Sequence, residues 1–354
     1  MEDRRARWKR NGAFIGRMAV FAAVFALLSQ GVLNVLTPQY DYGPGSMLNL
    51  YDQPKETIDV LALGTSMTYA GVNTNVLWAD WGIAAYDLAC AEQQYWHTYY
   101  YLLEALKTQS PRLILLDAKA ATYPDDVTRR GRVILNTSGI RDLRLRYQAI
   151  AASGQEEPWS FLLGFPQVHE NWKKVTLASL APRAWAGGRD SSWKGFVERD
   201  EREQHTRPNL VWTNICKKLN PKEAEYFGKI CDLAEERSID ILLVAYPNPD
   251  YANDHMYYNA LWALAEERGI PYINFNDPEG HYRFRYSSDF ADWQHLNVQG
   301  SLKLSRLLGA YLAEHYDLTD RRGDAAYASW EDCLAAWCAA WPQYADQITG
   351  EELP

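Results

Sequence analysis

Ser66 stands in Gly64-Thr65-Ser66-Met67, directly after the apolar run Ile58-Asp59-Val60-Leu61-Ala62-Leu63. A serine on a tight turn at the carboxyl end of a strand can point its hydroxyl into a cleft, beside backbone N–H groups able to stabilise an oxyanion. Alone, the motif reads as an ordinary turn. Far downstream comes Asp292-Trp293-Gln294-His295-Leu296-Asn297. An Asp and a His three apart on a turn can be adjacent. The carboxylate then holds the tautomer and orientation of the imidazole, whose other nitrogen is left to take a serine proton. This motif is also weak alone. In the order Ser, Asp, His, at opposite ends of one α/β body, the two support each other as a nucleophile, an orienting acid and a general base. Asp289 is a rival for the acid, six residues before His295.

Other candidates have plainer readings. His97 lies on a helical pattern, as surface or core, and His281 lies in a polar loop with Tyr282, Arg283 and Arg285. The five cysteines form no C-x-x-C pair and no zinc spacing with histidine, so no metal site is expected. Nor is a cofactor. An odd cysteine count leaves at least one thiol free. Lys plus Arg is 36 against 45 Asp plus Glu in 354 residues, a net charge of −9, which argues against a nucleic-acid partner.

The elements that must position these residues alternate along the chain. Short apolar runs occur at 58–63, 84–89, 113–116, 239–245 and 272–275. Runs this apolar suit strands covered on both faces, as in a parallel sheet. Helical patterns at 95–107, 223–237 and 261–268 lie between or beside them, and a last helix starts near Val298 with Asn297 as N-cap. The alternation predicts a doubly wound α/β fold: a three-layer, flavodoxin-like parallel sheet with helices on both faces. Residues 120–207 break the pattern and read as a partly helical insertion over one sheet edge, with Trp159, Trp172, Trp185 and Trp193. Residues 317–354 read as a helical tail, with Trp330, Leu334, Trp337 and Trp341 in one stripe.

The beginning of the chain carries Arg4, Arg5, Arg7, Lys9, Arg10 and Arg17, then an apolar stretch from Met18 to Leu36. At about 1.5 Å per residue the stretch is about 28 Å long, close to a bilayer core. The expectation is a cytoplasmic basic segment (1–17), a transmembrane helix (18–36), a Pro- and Gly-rich linker (37–56) and a body (57–316) outside the membrane. The rival, a cleaved signal peptide, lacks a small-x-small site after the apolar run.

Four stretches together resemble the SGNH/GDSL hydrolase superfamily in its cell-envelope branch, which includes the teichoic acid D-alanyl transfer protein and alginate-type O-acetyltransferases. They are the strand with G-T-S-M at 58–67, D-L-A-C-A-E-Q at 87–93, the strand ending Y-P-N at 239–248, and D-W-Q-H-L-N with its helix at 292–312. The resemblance implies Ser66 as nucleophile, His295 as base and Asp292 as its acid. It places an oxyanion donor at Ala89, where relatives have glycine, and an Asn248 match to the family asparagine. The family Asp before the serine is Thr65, and Glu92 close to the pocket would oppose an oxyanion if ionised. A His-x-x-Trp like His169 and Trp172 occurs in relatives, which implies a place in the substrate groove. The implied activity is O-acyl transfer or ester hydrolysis on an acylated carbohydrate or cell-envelope polymer, with a membrane-bound O-acyltransferase as partner. The alternative is a weak or inactive relative that binds polysaccharide or that partner.

Overall fold

Apolar runs that bury both faces become the strands of this chain. β1 (Val60–Leu63), β2 (Ala85–Asp87), β3 (Leu113–Asp117), β4 (Asp240–Ala245) and β5 (Tyr272–Asn274) form, among the described residues, one parallel sheet in the order β2-β1-β3-β4-β5. The register sets Val60 beside Ala85 and Leu113, and Leu113 beside Asp240. The computed structural model describes residues 2–36, 41–124, 126–162, 172–173, 175, 193–207, 213–277 and 282–349. These fall into two units, Met1–Gln39 with Leu163–Asp190, and Tyr40–Leu162 with Ser191–Pro354.

In the first unit, α1 runs unbroken from Glu2 to Leu36. Among the described residues it is the one helix long and apolar enough to cross a membrane, over Asn11–Ser29. That window begins nearer the N-terminus than Met18. Gly12 to Gly16 carry no charge, and the helix continues through the basic segment instead of starting after it. Phe14, Phe21, Phe25 and Leu27 are all exposed.

The second unit is the three-layer body. Alternate strand residues point to opposite faces. Leu61, Leu63, Ile114, Leu116 and Leu243 pack against α5 (Tyr95–Ala105), while Val60, Ala62, Leu113, Leu115 and Val244 pack with Leu77 and the late helix. On that second face lie α3 (Ser66–Gly71) and α4 (Thr74–Trp81). The late helix, α10 (Val298–His315), contributes Leu304, Leu308 and Leu312, and its N-cap Asn297 accepts from the Gly300 N–H at 3.0 Å. The first face also carries α8 (Pro221–Glu236) and α9 (Tyr251–Glu266).

Two segments depart from the sequence reading. Pro44–Leu50, expected within a linker, form helix α2 with Met47 and Leu50 buried. Pro44 sits at the start of that helix, where a missing N–H costs nothing. The body therefore includes residues well before Thr57. The insertion contains α6 (Arg130–Thr137) and α7 (Leu143–Ala152), and α7 packs on α5. Its return, residues 193–205, lies as a strap along the carboxyl ends of the sheet: the Asp87 N–H donates to the Lys194 carbonyl and the Val197 N–H to Tyr69, both at 2.8 Å. The C-terminal residues are helical and pack on the body. In α11 (Ala328–Ala340) and α12 (Pro342–Thr349), Trp330, Trp337 and Ile348 are buried. Trp330 Nε1 donates to the Ala85 carbonyl at 3.2 Å, and Arg321 grips Asp59 with two bonds of 2.8 Å.

Candidate active site

The chain goes from β1 outward to β2, then returns to the other side of β1 as β3. The carboxyl ends of β1 and β3 thus flank a topological switch point, where open α/β sheets bind ligands. Ser66 is the first residue of α3, immediately after β1, and Asp117 ends β3. The turn between β1 and α3 is held by Asp117, a buried carboxylate. One oxygen accepts from the Thr65 N–H at 3.0 Å, the Thr65 hydroxyl at 2.5 Å and the Thr68 hydroxyl at 3.3 Å; the other accepts from the Lys119 N–H at 2.8 Å. Burial pushes the Asp117 carboxyl above the ordinary range, against donors that favour its ionised form. Gly64 is required by this approach: with φ at +155°, a Cβ there would lie 2.2 Å from Asp117 Cβ.

The D-x-x-H loop folds onto that turn. His295 Nε2 lies 2.7 Å from Ser66 Oγ, and His295 Nδ1 lies 2.8 Å from both oxygens of Asp292. The loop orients its own carboxylate, because Asp292 Oδ1 also accepts from the N–H groups of Gln294 and His295 at 2.8 and 2.9 Å. Partial burial pushes the Asp292 carboxyl up, but the His295 ring and these backbone donors outweigh it and hold the group well below the usual carboxylate range. Asp289 is turned away from the imidazole: it takes Lys303 Nζ at 2.7 Å, the Arg285 N–H at 2.8 Å and the Ser288 hydroxyl at 2.9 Å. Chemically, this is a hydroxyl whose proton has a positioned acceptor, and an imidazole whose charge, once formed, has a carboxylate to balance it.

Two N–H groups are available near Ser66. Its own, at the first helical position, has no intrahelical acceptor. Ala89 packs its methyl against Tyr69 and Ala70 of α3. Leu88 and Cys90 send their N–H groups to Ala62 and Gly64, whereas the Ala89 N–H has no protein partner among the described residues. Glu92 does not threaten the pocket electrostatically: Arg129 holds it at 2.5 Å and Arg132 at 3.0 Å.

Asn248 is not joined to Ser66 or His295. It follows β4, which β3 separates from β1, and its amide nitrogen donates to Asp254 at 3.0 Å while its carbonyl caps the Asp250 N–H. The strand end that does adjoin the Ser66 turn is that of β3. Asp117 is the residue sequence reasoning missed; its one visible signal was an acidic residue closing an otherwise apolar strand. Trp172 is exposed in the other unit, and His169 and His281 lie outside the described residues. His97 is a core residue, with Nε2 2.8 Å from Ser153 Oγ, and burial lowers it to about 3. No disulfide joins any of the five cysteines. Among the described residues no cluster of His, Cys, Asp and Glu could hold a metal ion.

No family model and no curated protein matches the chain. Among solved structures, a crystal structure from Bacteroides fragilis described as that of "a putative acylhydrolase" is similar over 78% of this chain and 99% of that one, with 11% sequence identity and a TM-score of 0.38.

Proposed function

We propose that this protein is a membrane-anchored serine acyl enzyme of the SGNH type, acting on an acylated carbohydrate of the cell envelope. The observation that carries the reading is the continuous chain of hydrogen bonds from Ser66 through His295 to Asp292, at 2.7 and 2.8 Å. In this mechanism His295 Nε2 takes the Ser66 proton as Oγ attacks the acyl carbonyl. Asp292 balances the imidazolium, and the N–H groups of Ser66 and Ala89 receive the oxyanion. Collapse of the tetrahedral intermediate breaks the ester bond, and His295 returns the proton to the departing alcohol. The acyl group, now on Ser66, passes to water or to a sugar hydroxyl by the same steps in reverse. Transfer is the outcome if the pocket excludes water. In this reading α1 is the anchor with its basic end in the cytoplasm, and a membrane-bound O-acyltransferase is the source of acyl groups.

A fluorophosphonate probe tests this on full-length, detergent-solubilised protein. The expected adduct is on Ser66 and is absent in Ser66→Ala. Folded protein with no adduct overturns the reading. A non-catalytic role in binding polysaccharide is favoured by one observation, an alanine at position 89 where relatives have glycine. Polymer binding unchanged by Ser66→Ala, with no acyl turnover in either form, decides for it.

A further inference from the structure

We propose that Arg199 is a positioning residue of this serine–histidine–aspartate chain: it fixes the plane of the Asp292 carboxylate and, through it, the aim of the His295 ring. The inference rests on the reading of Ser66, His295 and Asp292 given above. Asp292 Oδ1 is held by two backbone N–H groups of its own loop besides the imidazole. Oδ2 has the imidazole at 2.8 Å and, as its only other donor among the described residues, Arg199 Nη1 at 3.1 Å. Without that donor Oδ2 meets only the ring it is meant to orient.

The strap delivers Arg199 by bonds to both halves of the site. The Val197 N–H donates to Tyr69 on α3, the helix that begins with Ser66. The Val298 N–H, at the start of α10, donates to the Arg199 carbonyl; both bonds are 2.8 Å. Further on, the N–H groups of Glu203 and His205 donate to Phe290 and Tyr286, at 3.0 and 2.8 Å. The guanidinium lies beside the Tyr69 hydroxyl, and its Nε is buried without a partner. An arginine held with an unpaired donor costs stability, and an apolar side chain would fill the place with no such cost. The one carboxylate it pairs with among the described residues is Asp292.

A permanent cation behind Asp292 also opposes the charge on a protonated His295. Around that ring and its carboxylate stand Asp292 from the same loop and Arg199 from the strap, with Tyr69 of α3 beside the guanidinium. The Asp289–Lys303 pair lies in the same loop and α10. Burial keeps the Tyr69 phenol neutral, so Arg199 is the one cation among them that touches the carboxylate.

The test uses the full-length protein in detergent, as wild type, Arg199→Gln and Arg199→Lys. NMR of the His295 Nδ1–H proton shared with Asp292 needs no turnover. Arg199→Gln is expected to shift and broaden that resonance, because Oδ2 loses the donor that fixes the plane of the carboxylate. Arg199→Lys, which keeps the charge without the planar fork, should stay near wild type. With an uncharged ester, Arg199→Gln is expected to lower kcat about tenfold with KM nearly unchanged, and Arg199→Lys to recover part of the loss. An unmoved resonance in folded Arg199→Gln overturns the inference. So does an effect confined to KM for anionic esters, which would make Arg199 a substrate contact. If Arg199→Gln does not fold, Arg199→Lys decides alone: kcat reduced severalfold with KM unchanged supports the role, and wild-type kcat sinks it. Failure of wild-type Ser66 to react with the probe counts against the proposed function, whereas the Nδ1–H resonance still judges Arg199.

Discussion

At the scale of residues, the arrangement depends on one carboxylate doing two jobs. Asp292 accepts the imidazole and the N–H groups of its own loop, which against partial burial hold its carboxyl well below the usual range, while Arg199 bonds its second oxygen. Asp292→Asn should keep the fold and lower kcat by about 10³–10⁴, because the amide presents a donor where the ring needs an acceptor. Its pH signature follows from the same depression. A carboxylate lowered on folding adds stability above its unfolded value and loses it as pH falls through the folded one. The difference in Tm between wild type and Asp292→Asn should therefore be open at neutral pH and narrow only below about pH 4. A gap that closes in mild acid contradicts this account of the pair. The types and order of Ser66, Asp292 and His295 were legible in the sequence. The choice of Asp292 over Asp289 came from the D-x-x-H spacing of the resemblance; the partners that occupy Asp289 were visible only in the fold. The roles of Asp117 and Arg199 were not legible, because nothing local connects them to Ser66 or Asp292.

At the scale of elements, the strap is the part most open to test. Its tight turn places Gly195 at a φ of +90°, where a Cβ would stand 1.9 Å from the Asp87 carbonyl oxygen. Gly195→Ala should cost about 2–4 kcal/mol by denaturant unfolding and slow the Ser66 reaction by loosening Arg199. An alanine variant of wild-type stability would mean the turn relaxes freely. Beside it, Lys194 is buried, with Nζ 2.7 Å from Gln53 and 2.8 Å from Ser329, and stacked 3.9 Å over the Trp330 ring. Burial lowers it from 10.5 to about 8. Between those values the unfolded chain binds more protons than the folded one, so this lysine makes stability rise with pH there. Wild type should gain Tm relative to Lys194→Met from pH 8 to 10; a constant difference refutes the assignment. Composition misled at α2, where Pro44 and Gly43 read as linker. The same residues are normal helix punctuation once Met47 and Leu50 have a core to enter.

At the scale of the whole molecule, the groups that would do chemistry all belong to the unit containing Tyr40–Leu162 and Ser191–Pro354, while α1 belongs to the other. If α1 is an uncleaved anchor, the full-length protein should sediment with membranes and resist carbonate extraction. Deleting residues 1–36 should release a soluble body that still reacts with the fluorophosphonate at Ser66. A shortened chain found free outside the cell would instead favour a cleaved signal.

What the sequence by itself determined is everything set by neighbours along the chain. That includes the apolar N-terminal helix, the strands buried on both faces, the N-cap at Asn297, and a serine and a D-x-x-H motif at element boundaries. Only the tertiary structure decided which of these meet. Strand order put the end of β3, not of β4, beside the Ser66 turn, so Asp117 supports it and Asn248 does not. The insertion, which resists any reading by periodicity, returned as the strap carrying Arg199 to Asp292. The physical reason is common to both. Hydrophobic periodicity reports which face of an element is covered, whereas contacts between strand ends depend on how the whole sheet is wound.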